Sequence, residues 1–174
     1  MKALKSIPLF VLIIFVSGIL FKVSQKARAE KNLKPNVIGT VVKVADGDTL
    51  TVNVDGEKTK IRLCGIDAPE KAQALGEESK LLLEKLALNK QVAFSEIERD
   101  RYGRTVAEVF VLGASETFVN ESMVQAGLAY HYDLYSGNCP NRDVIIDAES
   151  MAQNKRVGVW ASSNIKPWDY RKNK

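Results

Sequence analysis

The stretch IRLCGIDAPE, Ile61 to Glu70, places one guanidinium and two carboxylates where the surrounding residues read as a buried strand. Arg62 carries a planar fork of donors that matches phosphate oxygens and keeps its proton at any working pH. Asp67 and Glu70 bracket Pro69. Two further charged groups stand apart from this one: DGDT at Asp46 to Thr49, and DRYGR at Asp100 to Arg104. Carboxylates with main-chain oxygens suit a hard cation, and paired arginines suit phosphate.

Each residue also has a plainer reading. Asp46 and Gly47 are what a hairpin turn uses, although two acids in one turn exceed what the turn requires. Asp67 could start a helix before Pro69, and Glu70 could be an acid in a first helical turn. Arg62 could be an edge-strand cation with its stem laid over apolar surface, and Arg104 a hairpin exit. The chemical reading depends on their being brought together, so the elements that carry them matter.

VIGTVVKVADGDTLTVNV gives two β-branched runs around Asp46-Gly47-Asp48, and TVNVDGEKTKIRLCGI another pair around Asp55-Gly56. Asp-Gly between such runs signals a hairpin, so three consecutive antiparallel strands are expected. Pro69 stops the third. LGEESKLLLEKLALNK has Leu75, Leu82, Leu83 and Leu86 near helical spacing, with Asn89 near its end. QVAFSEIE and RTVAEVFVL alternate as strands joined by RDRYG. SETFVNESMVQAGLA reads as a short helix capped by Ser115 and left at Gly127. NRDVIIDAESMAQNKRVGVW reads as a third, with Val144, Ile145, Ala148, Met151 and Ala152 facing inward and Gly158 as its stop. Three strands, a helix, two strands and two helices suit an α+β protein built on a five-stranded Greek-key barrel of the OB type.

The chain has 174 residues, 45% hydrophobic and 26% charged, which is ordinary for a globular protein. The net charge of +4 suits a polyanionic partner or an anionic membrane surface. Lys2 and Lys5 precede an apolar run from Ile7 to about Val23, the pattern of a secretory signal. The Ala27-Arg28-Ala29 triplet resembles a cleavage site, but Lys22, Lys26 and Arg28 crowd it, and the run is near the length needed to span a bilayer. Residues 1–30 are therefore expected to be a signal peptide or an N-terminal membrane anchor, with a polar linker after it. Cys64 and Cys139 are the only cysteines. Export permits a bridge; their placement, one in a core strand and one in a loop, favours two unpaired thiols. Without a CxxC pair or a histidine cluster, a zinc site is not expected. The single histidine, His131, reads as a surface residue.

DGDT, RLCGIDAPE and DRYGR, in that order, resemble the staphylococcal nuclease (thermonuclease) family; GLAY at Gly127 to Tyr130 and the helix ending in GVW match more loosely. The resemblance runs from about Val37 to Trp160, and the domain it implies occupies residues 36–162, followed by a basic tail over 163–174. The family fold is an OB barrel with three helices, in agreement with the element order. Its activity is calcium-dependent hydrolysis of phosphodiesters in DNA and RNA.

Carried over position by position, the resemblance makes Asp48 and Asp67 ligands of Ca²⁺, with the main-chain carbonyl of Ala68 as a third and Asp46 behind Asp48. The family usually has Thr where Ala68 stands; a main-chain ligand tolerates that change. Glu70 would act on the attacking water as base or positioner, and Arg62 and Arg104 would clamp phosphate oxygens. Tyr132 would stack on a base, with Tyr130, Tyr135 and Arg101 as neighbouring candidates. The expected ends are 3′-phosphates.

The expectation is thus an exported or membrane-tethered, monomeric, calcium-dependent endonuclease. A different class remains open: an OB barrel that holds single-stranded nucleic acid without cutting it, which would not need Arg62, Asp67, Glu70 and Arg104 together. A tethered adaptor for protein partners would need an exposed apolar patch, and the sequence offers none outside its N-terminus.

Overall fold

The computed structural model describes residues 37–173. The apolar N-terminal segment, expected as a signal or anchor, lies outside the described residues. Among the described residues no helix is long and apolar enough to cross a membrane.

The expected meander forms from β1 (Val37–Val44), β2 (Thr49–Val54) and β3 (Glu57–Leu63). β1 pairs with β2 and β2 with β3, both antiparallel. The β2–β3 turn is tight: Val54 faces Glu57, and Asp55 and Gly56 both take positive φ, 51° and 93°. That is the requirement of a type I′ hairpin, which Asp-Gly meets at little cost. After the two-residue strand β4 (Ile66–Asp67) come α1 (Gly76–Ala87), β5 (Gln91–Arg99) and β6 (Thr105–Val111). The strands run in the order β3-β2-β1-β5-β6, and β3 also pairs with β6 in parallel, which closes the sheet into a five-stranded barrel. The fold is the α+β OB barrel expected from the element order.

Alternation decides which side chains of β3 face inward. Ile61 and Leu63 are buried in the core with Val41, Leu50, Val52, Val92 and Val109. Each such side chain contributes about 1.5–3 kcal/mol by leaving water. Arg62, between two core residues, must then point to the opposite face. Arg62 pairs with Thr49 on β2 and Val106 on β6. A strand that looked too charged for a core is a core strand on one face and a functional surface on the other.

Three details depart from the sequence expectation. The second helix, α2 (Val119–Gln125), begins four residues after Ser115. Thr117 and Phe118 instead form a short strand β7 on the edge of β6, with the rings of Phe118 and Phe110 stacked 4.7 Å apart. The third helix, α3 (Arg142–Lys155), buries Ile145, Ala148 and Ala152, while Val144 and Met151 are exposed, so its inward face is narrower than expected. The basic tail contains an unexpected fourth helix, α4 (Pro167–Lys172); its Trp168 packs back on the domain, as the composition of the tail suggests. A two-residue strand β8 (Tyr130–His131) pairs with β4.

Cys64 and Cys139 are bridged, with Cα atoms 6.0 Å apart and 75 residues between them in sequence. The expectation of two free thiols is therefore corrected. Cys64 follows β3, and the loop before α3 folds over the barrel to meet it.

Candidate active site

The turn from β1 to β2 is drawn against the barrel. The carbonyl of Asp48 accepts from the Leu63 amide at 2.8 Å, which ties the turn to the end of β3. A side chain at Gly47 would run into Ser79 of α1 and Ala68, so only glycine allows this close approach. Asp48 is buried; its Oδ2 accepts from the Ala68 amide at 2.9 Å and its Oδ1 from the Thr49 hydroxyl at 3.0 Å. Asp46 sits behind it, its Oδ1 accepting from the Asp48 amide at 3.1 Å. Burial, and then the adjacent charge of Asp48, push the Asp46 carboxyl up to about 6.

Arg62 joins the two acids. Its Nη2 donates to Asp67 Oδ1 at 2.8 Å and lies 3.1 Å from Asp48 Oδ2. Its Nη1 donates to the carbonyls of Ile66 at 2.8 Å and Leu63 at 3.2 Å. One nitrogen therefore touches both carboxylates, which must converge on a single point. Asp67, on β4, has a side chain only 1% exposed. Burial raises its carboxyl above the usual range, opposed by the guanidinium groups of Arg171 and Arg62. Glu70, just past Pro69, is more open; its amide donates to Gln73 Oε1 at 2.9 Å.

Arg104 reaches the same end of the barrel from the β5–β6 hairpin. Asp100 Oδ2 accepts from its Nε at 2.6 Å, while Asp100 Oδ1 accepts from the amides of Tyr102 and Arg104, both at 2.9 Å. These bonds hold the Asp100 carboxyl below its usual range even though burial opposes them. Arg104 Nη1 lies 3.5 Å from Thr49 Oγ1, the hydroxyl that donates to Asp48. A chain of contacts thus runs from Arg104 through Thr49, Asp48 and Arg62 to Asp67. Asp48, Asp67, Arg62 and Arg104 share one face, with Glu70 beside Asp67.

The other candidates are placed as follows. Arg101 is exposed with its guanidinium 5.0 Å from the Tyr102 ring. Tyr130 is buried, packed edge-on against Trp160 and Trp168. Tyr132 stacks face to face on Trp168 at 4.9 Å, and Tyr135 is exposed beside it. A cleft of about 740 Å³ opens here, lined in part by Tyr132, Trp160, Lys166, Trp168 and Arg171. His131 is half-buried and bonds the hydroxyl of Ser136 at 2.8 Å; that serine is fully buried, so the pair is structural rather than nucleophilic.

Two residues escaped the sequence reading. Arg171 of α4 bonds Asp67 and Glu70, contacts over 104 and 101 residues that no local motif announces. Glu108 is fully buried in β6, accepting from the Asn141 amide at 2.7 Å and the Asn141 side chain at 2.6 Å. It holds the start of α3.

The donors fit a hard cation. Two carboxylates converge, and the atoms they offer an ion are oxygen; the nitrogens beside them, of Arg62, Arg171 and the Ala68 amide, carry protons and cannot ligate. Among the described residues no group of three or more His, Cys, Asp or Glu could hold a metal, so two acids would be completed by main-chain oxygen and water. Such an all-oxygen set disfavours zinc and suits a hard cation.

Fold and site together define an OB-barrel protein with an acid–guanidinium cluster at one end. The staphylococcal nuclease homologue model matches residues 60–162, a span that holds Arg62, Asp67, Glu70 and Arg104. An uncharacterized endonuclease of Haemophilus influenzae is 41% identical over 134 residues, covering 76% of this chain and 71% of its own. The micrococcal nuclease of Shigella flexneri is 36% identical over 141 residues, 77% of this chain and 80% of its own. A 38.1 kDa protein of Capnoides sempervirens is 38% identical over 156 residues; the match spans 86% of this chain but only 44% of that longer protein. The chain belongs to the staphylococcal nuclease family.

Proposed function

We propose that the protein is a calcium-dependent endonuclease that hydrolyses phosphodiester bonds of DNA, RNA or both. The observation that carries this reading is the joint at Arg62, where one guanidinium nitrogen meets Asp48 and Asp67 beside Glu70. The relatives named as nucleases support it.

Asp48, Asp67 and the Ala68 carbonyl would hold Ca²⁺. When bound, the ion supplies positive charge to a phosphate oxygen and acidifies nearby water. Glu70, the least buried of the three carboxylates, orients the attacking water and takes its proton. Arg62 and Arg104 bind the remaining phosphate oxygens and match the charge that grows on five-coordinate phosphorus. The P–O bond on the 5′ side breaks, leaving a 3′-phosphate and a 5′-hydroxyl. Tyr132, with Tyr135 beside it, contacts the flanking nucleotides, and Arg101 on the β5–β6 hairpin adds charge for the backbone.

The Cys64–Cys139 bridge supports an oxidising compartment, so we place the protein outside the cell or in its envelope, with the N-terminal segment cleaved or kept as an anchor. The mass of the mature N-terminus decides between these.

End-labelled single-stranded oligonucleotides test the reading. Calcium should give short products ending in 3′-phosphate. Retarded but intact strands would instead make the protein a binding module.

A further inference from the structure

Arg171 stands on the two acids that matter most. Its Nη2 donates to Asp67 Oδ2 at 2.7 Å, and its Nη1 donates to Asp67 Oδ1 at 3.2 Å and to Glu70 Oε1 at 2.7 Å. Asp67 therefore has both oxygens bonded to guanidinium groups, Oδ1 to Arg62 and Arg171, Oδ2 to Arg171. An incoming divalent cation needs one of these oxygens, and its charge repels the guanidinium already there.

One of the two arginines must give way, and the structure distinguishes them. The Arg62 side chain is 13% exposed, sits on a central strand and is fixed by two main-chain carbonyls. The Arg171 side chain is 42% exposed and belongs to a six-residue helix near the chain's end. Among its ties are the Tyr132–Trp168 stack, the edge contact of Trp168 with Tyr130, the buried Pro167 and, just before the helix, Gln73 Nε2 donating to the Ile165 carbonyl at 2.8 Å. Releasing α4 uncovers Pro167 and one side of Tyr130 but leaves every strand of the barrel paired, whereas releasing Arg62 would break the barrel's end.

We propose that Arg171 is a resident counter-cation on Asp67 and Glu70 that the divalent cation displaces, so that cation binding is coupled to undocking of the C-terminal segment. In the cation-free protein Arg171 occupies one oxygen of the half-exposed Glu70 and neutralises the buried Asp67. Cation loading, by lifting Arg171 away, frees Glu70 for its base role. The inference rests on the cation reading of Asp48 and Asp67.

Calcium titration of the purified full chain by calorimetry, with no nucleic acid present, tests it. Arg171→Ala should lower the half-saturating calcium concentration by about threefold to tenfold, the scale of a partly exposed ion pair removed from competition. Arg171→Lys keeps the charge but loses the fork, and should fall between the two. In the unaltered chain, calcium should speed hydrogen exchange in the peptide covering residues 165–173. Equal or weaker calcium binding by Arg171→Ala, or unchanged exchange in that peptide, overturns the inference while leaving the endonuclease reading intact. No saturable calcium binding by any of the three chains overturns both. Melting in chelator shows whether each variant is folded; if Arg171→Ala is not, the comparison is made on Arg171→Lys alone.

Discussion

Arg62 donates to Asp67 at 2.8 Å across the bend at Gly65, and the same nitrogen lies 3.1 Å from Asp48. The contact joins the end of β3 to β4 and to the β1–β2 turn. Lysine at position 62 keeps the charge but not the fork, so Arg62→Lys should cost about 10²–10³-fold in kcat. Its melting temperature should change less than that of Arg62→Ala, which leaves Asp67 buried with only Arg171. Steady-state kinetics and thermal melts on the two variants check this.

Glu70 has a side chain 37% exposed and touches no core residue's polar group, so its loss should be chemical rather than structural. Glu70→Gln should lower kcat by about 10²–10⁴-fold. Nucleic-acid affinity, read by anisotropy with a labelled oligonucleotide, should stay within about threefold, since no phosphate donor is removed. A matching loss of affinity would make Glu70 a binding group instead.

Glu108 predicts a pH dependence of its own. Burial raises its carboxyl above the ordinary value near 4.5, only partly opposed by the Asn141 bonds. The folded state then binds the proton more tightly than the unfolded state, so this group's contribution to stability falls as pH rises from the unfolded value through the folded one. Glu108→Gln removes that penalty. The variant's stability relative to the parent should be more favourable at pH 8 than at pH 5, by urea denaturation at both. An equal difference at both values would contradict the assignment.

Replacing Cys64 and Cys139 together by serine opens a loop closed over a separation of 75 residues. Stability should fall by about 2–4 kcal/mol. Urea midpoints of the parent with and without reductant should bracket the variant. Activity at saturating calcium should persist, because neither sulfur touches the acid–guanidinium cluster.

Much of this fold was legible because local chemistry decided it. Asp55-Gly56 announces its turn through backbone freedom that few residues share, and the alternation of Ile61, Arg62 and Leu63 fixes both a core face and a site face. The start of α2 was not legible: Ser115 offers a cap, but Thr117 and Phe118 gain more by pairing with β6. Alternation would give Glu108 an outward position; the loop before α3 covers it and supplies two donors, which no strand pattern reveals. The disulfide and Arg171 were hidden for the same reason. Both join the stretch around β3 and β4 to distant segments whose own sequences read as loop and tail. The charged cluster itself was legible from DGDT, RLCGIDAPE and DRYGR, but its closure by α4 was not.

The central claim is that acids and guanidinium groups at one end of this barrel cut phosphodiesters with the help of calcium. Incubating supercoiled plasmid with the purified chain, in calcium and in chelator, tests it most directly. The account predicts nicked and then linear and fragmented DNA in calcium, intact plasmid in chelator, and intact plasmid in calcium with Glu70→Gln. Equal cleavage with and without calcium, or no cleavage of DNA or of RNA in either, would contradict it.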